Sequence, residues 1–228
     1  MPDIIMPSVA VPVRLARRPR DPRGFIIPFF VAWMSNGKLV TEPDGEPDFR
    51  VVDHHRMVEC VKQRKCWLCG EKLGVHLAFV LGPMCTINKV ISEPPSHREC
   101  AEYALKVCPF LTRPRMRRNE KDLPTDHVEA AGRPFERNPG ISAMWITRSY
   151  RPFKAHGGNQ GVLFNVGPAE QVQWWKEGRL ATRQEAMTAL DDGYDVLRVD
   201  AEQEGPEALR ALLSMLREAK LTLPAVAS

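Results

Sequence analysis

Long apolar runs are missing from this 228-residue chain. None approaches the ~18 residues a membrane-crossing helix needs. Residues 24–33 (GFIIPFFVAW) come nearest, but they are short, broken by Pro28 and preceded by arginines, so a buried strand is expected there. The phosphate-cradling patterns Gly-x-x-x-x-Gly-Lys-Ser/Thr and Gly-x-Gly-x-x-Gly are absent, as is the Gly-x-Ser-x-Gly nucleophile elbow. Nucleotide-cradling and hydrolase-elbow chemistry therefore have no foothold in the sequence. No segment repeats at a fixed period, which argues against a solenoid or propeller. Cysteine is sparse at six residues, and no secretory signal precedes them, so a disulfide scaffold is not expected. The thiols are expected to be reduced, and the default compartment is the cytoplasm.

What cysteine there is falls in a pattern. Cys66 and Cys69 form a Cys-x-x-Cys pair closed by Gly70, and His97 and Cys100 form a His-x-x-Cys pair further on. Three thiolates and an imidazole are a donor set that a structural zinc ion takes tetrahedrally. Ser96 and Glu99 match a capping box, which predicts Ser96 as the N-cap of a helix carrying His97 and Cys100 in its first turn. Between the pairs lie two apolar runs, 75–81 and 86–91, separated by Gly82-Pro83-Met84 and expected to form a hairpin. Knuckle, hairpin and ligand-bearing helix is the order of a treble-clef zinc finger, which this segment resembles. The alternative, cysteines buried as small hydrophobes, suits Cys60, Cys85 and Cys108 better, because none of these has a partner at x-x spacing. Cys85 remains open as a substitute ligand. A thioredoxin-type motif is disfavoured, since that chemistry places its Cys-x-x-Cys at a helix start.

Net charge is +4, so its distribution carries more than its sum. Arg14, Arg17, Arg18, Arg20 and Arg23 load residues 1–23, expected as an extended basic arm. Arg113, Arg115, Arg117 and Arg118 follow the ligand-bearing helix. From Glu185 to Glu218 acidic residues outnumber basic ones nine to three. Asn36-Gly37 predicts a hairpin turn between 24–33 and 39–41, and a further strand is expected at 49–52. Asp53 predicts the cap of a helix to about Gln63. Strands are expected in 141–150 and 161–166, and a short helix over 169–177 stopped by Gly178. Thr182 and Glu185 form a second capping box for a helix over 183–192 with Gly193 as its stop, and leucine spacing predicts helix over 207–220. The fold class expected is α+β: a zinc-binding α+β part at 24–112, an Arg/Pro-rich connection at 113–138, and a β-then-helical part at 139–228.

Enzyme signatures were weighed and set aside. A His-Asn-His nuclease needs its catalytic histidine in the hairpin after the first metal pair. Asp53-His54-His55 lies upstream instead, His76 lacks a preceding acid, and Asn88 sits in the second run. His127-Val128-Glu129 has the zinc-deaminase His-x-Glu, but in the wrong order relative to the Cys-x-x-Cys. An unrecognised pocket in 141–180, lined by Trp145, Arg148, Tyr150, His156, Trp174 and Arg179, stays an alternative, as does a protein-only adaptor docking through the acidic helices. The favoured reading is a non-catalytic, zinc-stabilised binding protein. Lys106, Arg113, Arg115, Arg117 and Arg118 are the candidates for contacting nucleic acid or a complex that handles it. The blocks CWLCG, GPMC, PPSHREC and CPFL also resemble a Cys-rich protein family of bacterial and bacteriophage genomes with no assigned activity. That resemblance implies a mobile-element setting and transfers no catalytic residue.

Overall fold

The structure is a computed structural model that describes residues 9–113, 123, 140–155 and 161–225. It begins with a single helical turn, α1 (Val13–Ala16), and then forms a three-stranded antiparallel sheet from β1 (Val31–Ser35), β2 (Lys38–Val40) and β3 (Glu46–Val52), in the order β2-β1-β3. Asn36 and Gly37 both have positive φ, 51° and 75°, as a two-residue hairpin turn requires. Helix α2 (His54–Gln63) starts at Asp53, whose Oδ1 accepts hydrogen bonds from the amides of His55 and Arg56. The expected cap is therefore present. From residue 9 onward the basic arm is docked, and four of its five arginines meet carboxylates: Arg14 and Arg17 pair with Glu71, Arg14 also with Glu99, Arg18 with Glu42 and Arg23 with Asp21.

The central sheet follows from one strand with no polar face. Strand β4 (Leu77–Leu81) reads LAFVL and is buried along nearly its whole length. Beyond it come α3 (Pro83–Asn88), β5 (Val90–Ile91), α4 (Arg98–Val107) and the single turn α5 (Pro109–Thr112). Strand β6 (Ser142–Thr147) runs antiparallel to β4, opposing Phe79 with Trp145 and Ala78 with Ile146. Strands β7 (Tyr150–Lys154) and β8 (Val162–Val166) pair with each other, and β8 pairs with β5. Strands β9 (Gln171–Lys176) and β10 (Arg179–Leu180) complete a four-stranded sheet in the order β10-β9-β6-β4. Helices α6 (Arg183–Glu204) and α7 (Pro206–Lys220) close the chain.

Both faces of the four-stranded sheet are covered. On one, Ala78, Met144, Ile146 and Trp175 pack with Ala101 and Leu105 of α4. On the other, Leu77, Phe79, Leu81, Ala143, Trp145 and Trp174 join Ile87 of α3, Leu190 of α6, and Leu212 and Leu216 of α7. This core draws on both expected parts, 24–112 and 139–228, because β4 and β6 share one hydrogen-bonded ladder.

Four local expectations are corrected. Thr86–Asn88 of the second apolar run are helical, and β4 and β5 do not form a hairpin: β4 pairs with β6, and β5 with β8. The 169–177 region is a strand, not a helix. Its adjacent tryptophans lie on opposite faces of the sheet, Trp174 in the larger core and Trp175 against α4, as the two-residue period of a strand dictates. Ser96 caps no helix. Its amide and carbonyl pair with those of Ala78, and His97 is the N-cap of α4. Gly193 does not stop α6, which continues to Gly205. A Cβ on Gly193 would stand 3.1 Å from Pro83 Cβ and 3.2 Å from the Met84 amide nitrogen, so the missing side chain lets α6 lie close against α3.

A candidate metal centre

The first ligand pair sits in a tight backbone turn after α2. The Gly70 amide donates to the Cys66 carbonyl at 2.9 Å, and the Cys66 amide to the Glu71 carbonyl at 2.7 Å. Gly70 has φ +80°, and a Cβ there would meet the Phe29 ring at 2.6 Å. Both facts demand glycine at this position. The second pair is brought in by the edge of β4. The Ser96–Ala78 bridge fixes the chain just before His97, and the Trp67 amide donates to the Pro95 carbonyl at 3.1 Å, tying the two ligand segments together.

The four side chains converge. Ligand atoms of Cys66, Cys69, His97 and Cys100 all lie within 4.8 Å of one another, and all four residues are buried. Zinc–sulfur bonds of about 2.3 Å would put tetrahedral sulfurs about 3.8 Å apart, so the spread suits a single small ion. Backbone amides aim at the sulfurs: those of Cys69 and His97 donate to Cys66 Sγ at 3.5 and 3.3 Å. His97 Nδ1 lies 3.4 Å from Cys69 Sγ and 4.0 Å from Cys100 Sγ, while Nε2 faces the Lys72 carbonyl at 3.1 Å. In the neutral ring that a metal takes, an Nε2–H donor to that carbonyl would leave the Nδ1 lone pair turned toward the thiols, the orienting contact expected of a ligating histidine.

Electrostatics set this group apart from the other cysteines. Burial opposes ionisation of Cys66, but hydrogen bonds from Cys100, Cys69 and His97 outweigh it and hold the thiol well below its usual range. Hydrogen bonds to Cys66 and then Cys69 push Cys100 up, helped by burial. The same two thiols raise His97 to about 10. The cluster thus holds one buried thiolate at Cys66, and a soft cation binds thiolate. By contrast, burial raises Cys60 to about 12 and Cys85 to about 11, and it also raises Cys108. Those three are inert apolar residues in the sense expected of buried thiols. Cys85 stands in α3 and is not among the clustered ligands.

The other expected site residues that are described are engaged in local contacts. Lys106 reaches Glu102 at 2.6 Å and lies over the Trp175 ring. Arg113 closes α5, while Arg115, Arg117 and Arg118 lie outside the described residues, as do His127, Glu129 and His156. Trp145 and Trp174 are core residues whose indoles donate to the carbonyls of Gly167 and Thr222. Tyr150 packs edge-on against Phe79 and Phe164, Arg148 pairs with Glu170, and Arg179 pairs with Glu185. Asp53 is committed to capping α2, and Asn88 Oδ1 accepts from the Val90 amide. His76 is exposed and paired with Glu170. Among the described residues no helix is long and apolar enough to cross a membrane. No family model, curated protein or solved structure matches the chain.

Proposed function

We propose that this is a non-catalytic, zinc-stabilised binding protein that contacts nucleic acid or a complex that handles it. The observation that carries the zinc assignment is the buried set of three sulfurs and one imidazole nitrogen within 4.8 Å. Four protein ligands leave no open coordination position for water or substrate, so the ion would supply folding free energy rather than chemistry. Zinc is preferred over other ions because a mixed thiolate–imidazole tetrahedron suits it, and because alkaline-earth ions take oxygen donors. The treble-clef resemblance rests on the order of knuckle and ligand-bearing helix, with α3 standing where a hairpin strand was expected.

The nucleic-acid part of the reading rests on charge. Arg113, Arg115, Arg117 and Arg118 follow α5, the single turn after α4, the helix whose Cys100 would hold the ion. Lys106 of that helix extends the same basic run, and phosphate contacts of this kind need no base-specific geometry. The resemblance to bacterial and bacteriophage proteins suits such a role. Two measurements test it. Elemental analysis of purified protein is expected to give one zinc per chain. Pull-down from the native host, with and without nuclease treatment, is expected to recover nucleic acid or partners that depend on it. A fully folded, metal-free protein would remove the first half of the reading, and nuclease-insensitive partners alone would remove the second.

A further inference from the structure

Eleven residues around the first ligand pair, 62–72, repeatedly set aside local stability. Arg64 ends α2 in the left-handed conformation, φ 52° and ψ 51°, where glycine or asparagine is the unstrained choice. The comparable cation Lys89, also left-handed at the end of α3, holds Glu218 at 2.6 Å. Arg64 has no acidic partner among the described residues. Lys65 and Lys72 stand directly opposite each other in an antiparallel bridge, and like charges so placed repel. Lys65 is compensated by Glu59 and the Phe29 ring, whereas Lys72 is exposed and has no acidic partner among the described residues. Lys62, exposed in the last turn of α2, likewise has no acidic partner among the described residues. The N-terminal arginines are the opposite case, since four of the five are satisfied by carboxylates. These cations belong to one small framework: the Leu73 amide donates to the Arg64 carbonyl at 2.8 Å, and the Lys72 carbonyl is the acceptor facing His97 Nε2.

The geometry points to the rim of the metal knuckle, with Lys62, Arg64 and Lys72, as a contact surface for the phosphate backbone of nucleic acid. This rests on the binding role proposed above and places its anchoring surface on the knuckle, apart from the Arg113–Arg118 run. Strain and repulsion are tolerated at a surface when a ligand offsets them, and cations at the end of α2 and on the knuckle that have no acidic partner among the described residues are free to contact phosphate.

The test is fluorescence anisotropy of the full, zinc-loaded chain with labelled random-sequence duplex and single-stranded oligonucleotides across a salt series. The K62Q/R64Q/K72Q variant is expected to bind about ten-fold more weakly and to lower the log–log salt slope by roughly 2–3, about one per lost contact. Arg64→Gly separates structure from binding. Glycine relieves the left-handed backbone, so its melting temperature should hold or rise while its affinity falls. An R115Q/R117Q/R118Q variant serves as the comparison. If the knuckle variants bind like wild type and only this one fails, the rim assignment is overturned and the nucleic-acid reading survives. If wild-type protein binds neither oligonucleotide at low salt, both fall together. Binding to polyglutamate but not to oligonucleotides would make the rim an acidic-protein dock and likewise overturn it.

Discussion

The metal knuckle and the α6–α7 hairpin are held by different physics, although both belong to one continuous core. At the knuckle four metal-ligating side chains from two distant segments meet in a buried space, within 4.8 Å of one another, and three of them border the main core. In the helical hairpin, Ala186, Leu190, Ala201, Leu212, Leu216 and Ala219 pack by shape alone, and the Thr182–Glu185 capping box starts α6. The knuckle is specified by a few identities and is all-or-none. The hairpin is specified by a pattern and is graded. Removing one knuckle ligand leaves an uncompensated thiolate in a buried site, while trimming one leucine leaves a cavity whose walls partly relax.

The sharpest way to break this contrast is to remove the ion or one ligand. Chelation, Cys69→Ser or Cys100→Ser should each unfold the protein, because structural zinc contributes on the order of 10 kcal/mol against a total stability of about 5–15 kcal/mol. Cys108→Ser should remain soluble and retain its metal. Circular dichroism melts with metal analysis decide this, and equal tolerance of all three substitutions would abolish the distinction. Next in size, Leu190→Ala should cost about 2–5 kcal/mol in urea unfolding while metal content stays unchanged. Gly193→Val should cost about 1–3 kcal/mol through overpacking against Pro83 and Met84, and an unchanged midpoint would show that α6 can draw back from α3.

Acidity probes the knuckle alone. In the metal-free protein the raised His97 pKa contributes stability that is fully present below 6.5 and is lost as pH rises through about 10. The ion takes neutral imidazole, so metal uptake below pH 10 expels that proton. Apparent zinc affinity should then climb by about ten-fold or more per pH unit between 7 and 9, as read by competition with a chromophoric chelator. A flat profile would mean that metal uptake expels no proton from His97 in this range. The smallest effect is expected at α2, where Asp53→Ala should lose about 1 kcal/mol with its two amide contacts, measured as a shift of the thermal midpoint.

Signals carried by neighbouring residues were legible in the sequence. The x-x ligand spacings, the Asp53 cap, the Asn36-Gly37 turn and the Thr182–Glu185 capping box each concern groups a few positions apart, and the backbone alone brings such groups together. Misreadings arose where a distant partner chose between two local options. Thr86 and Ile87 have strand-forming side chains, yet they are buried in a helix that starts at Gly82-Pro83 and packs against α6 and α7. Ser96 has the chemistry of an N-cap, but the free edge of β4 takes up its backbone. The knuckle cations stood out only once ion pairs were known, since sequence cannot tell a paired arginine such as Arg18 from one such as Arg64, which has no acidic partner among the described residues.

By itself the amino-acid sequence determined which four side chains could share an ion, where the chain turns and caps, and that the class is mixed α and β, because all of these depend on residue identity and short spacing. Only the tertiary structure decided that β4 pairs with β6, that the paired tryptophans divide between two faces of one sheet, and that Lys62, Arg64 and Lys72 have no acidic partner among the described residues. Those outcomes depend on which surfaces meet across more than sixty residues of chain, and the energy of such a meeting is written in no local stretch of sequence.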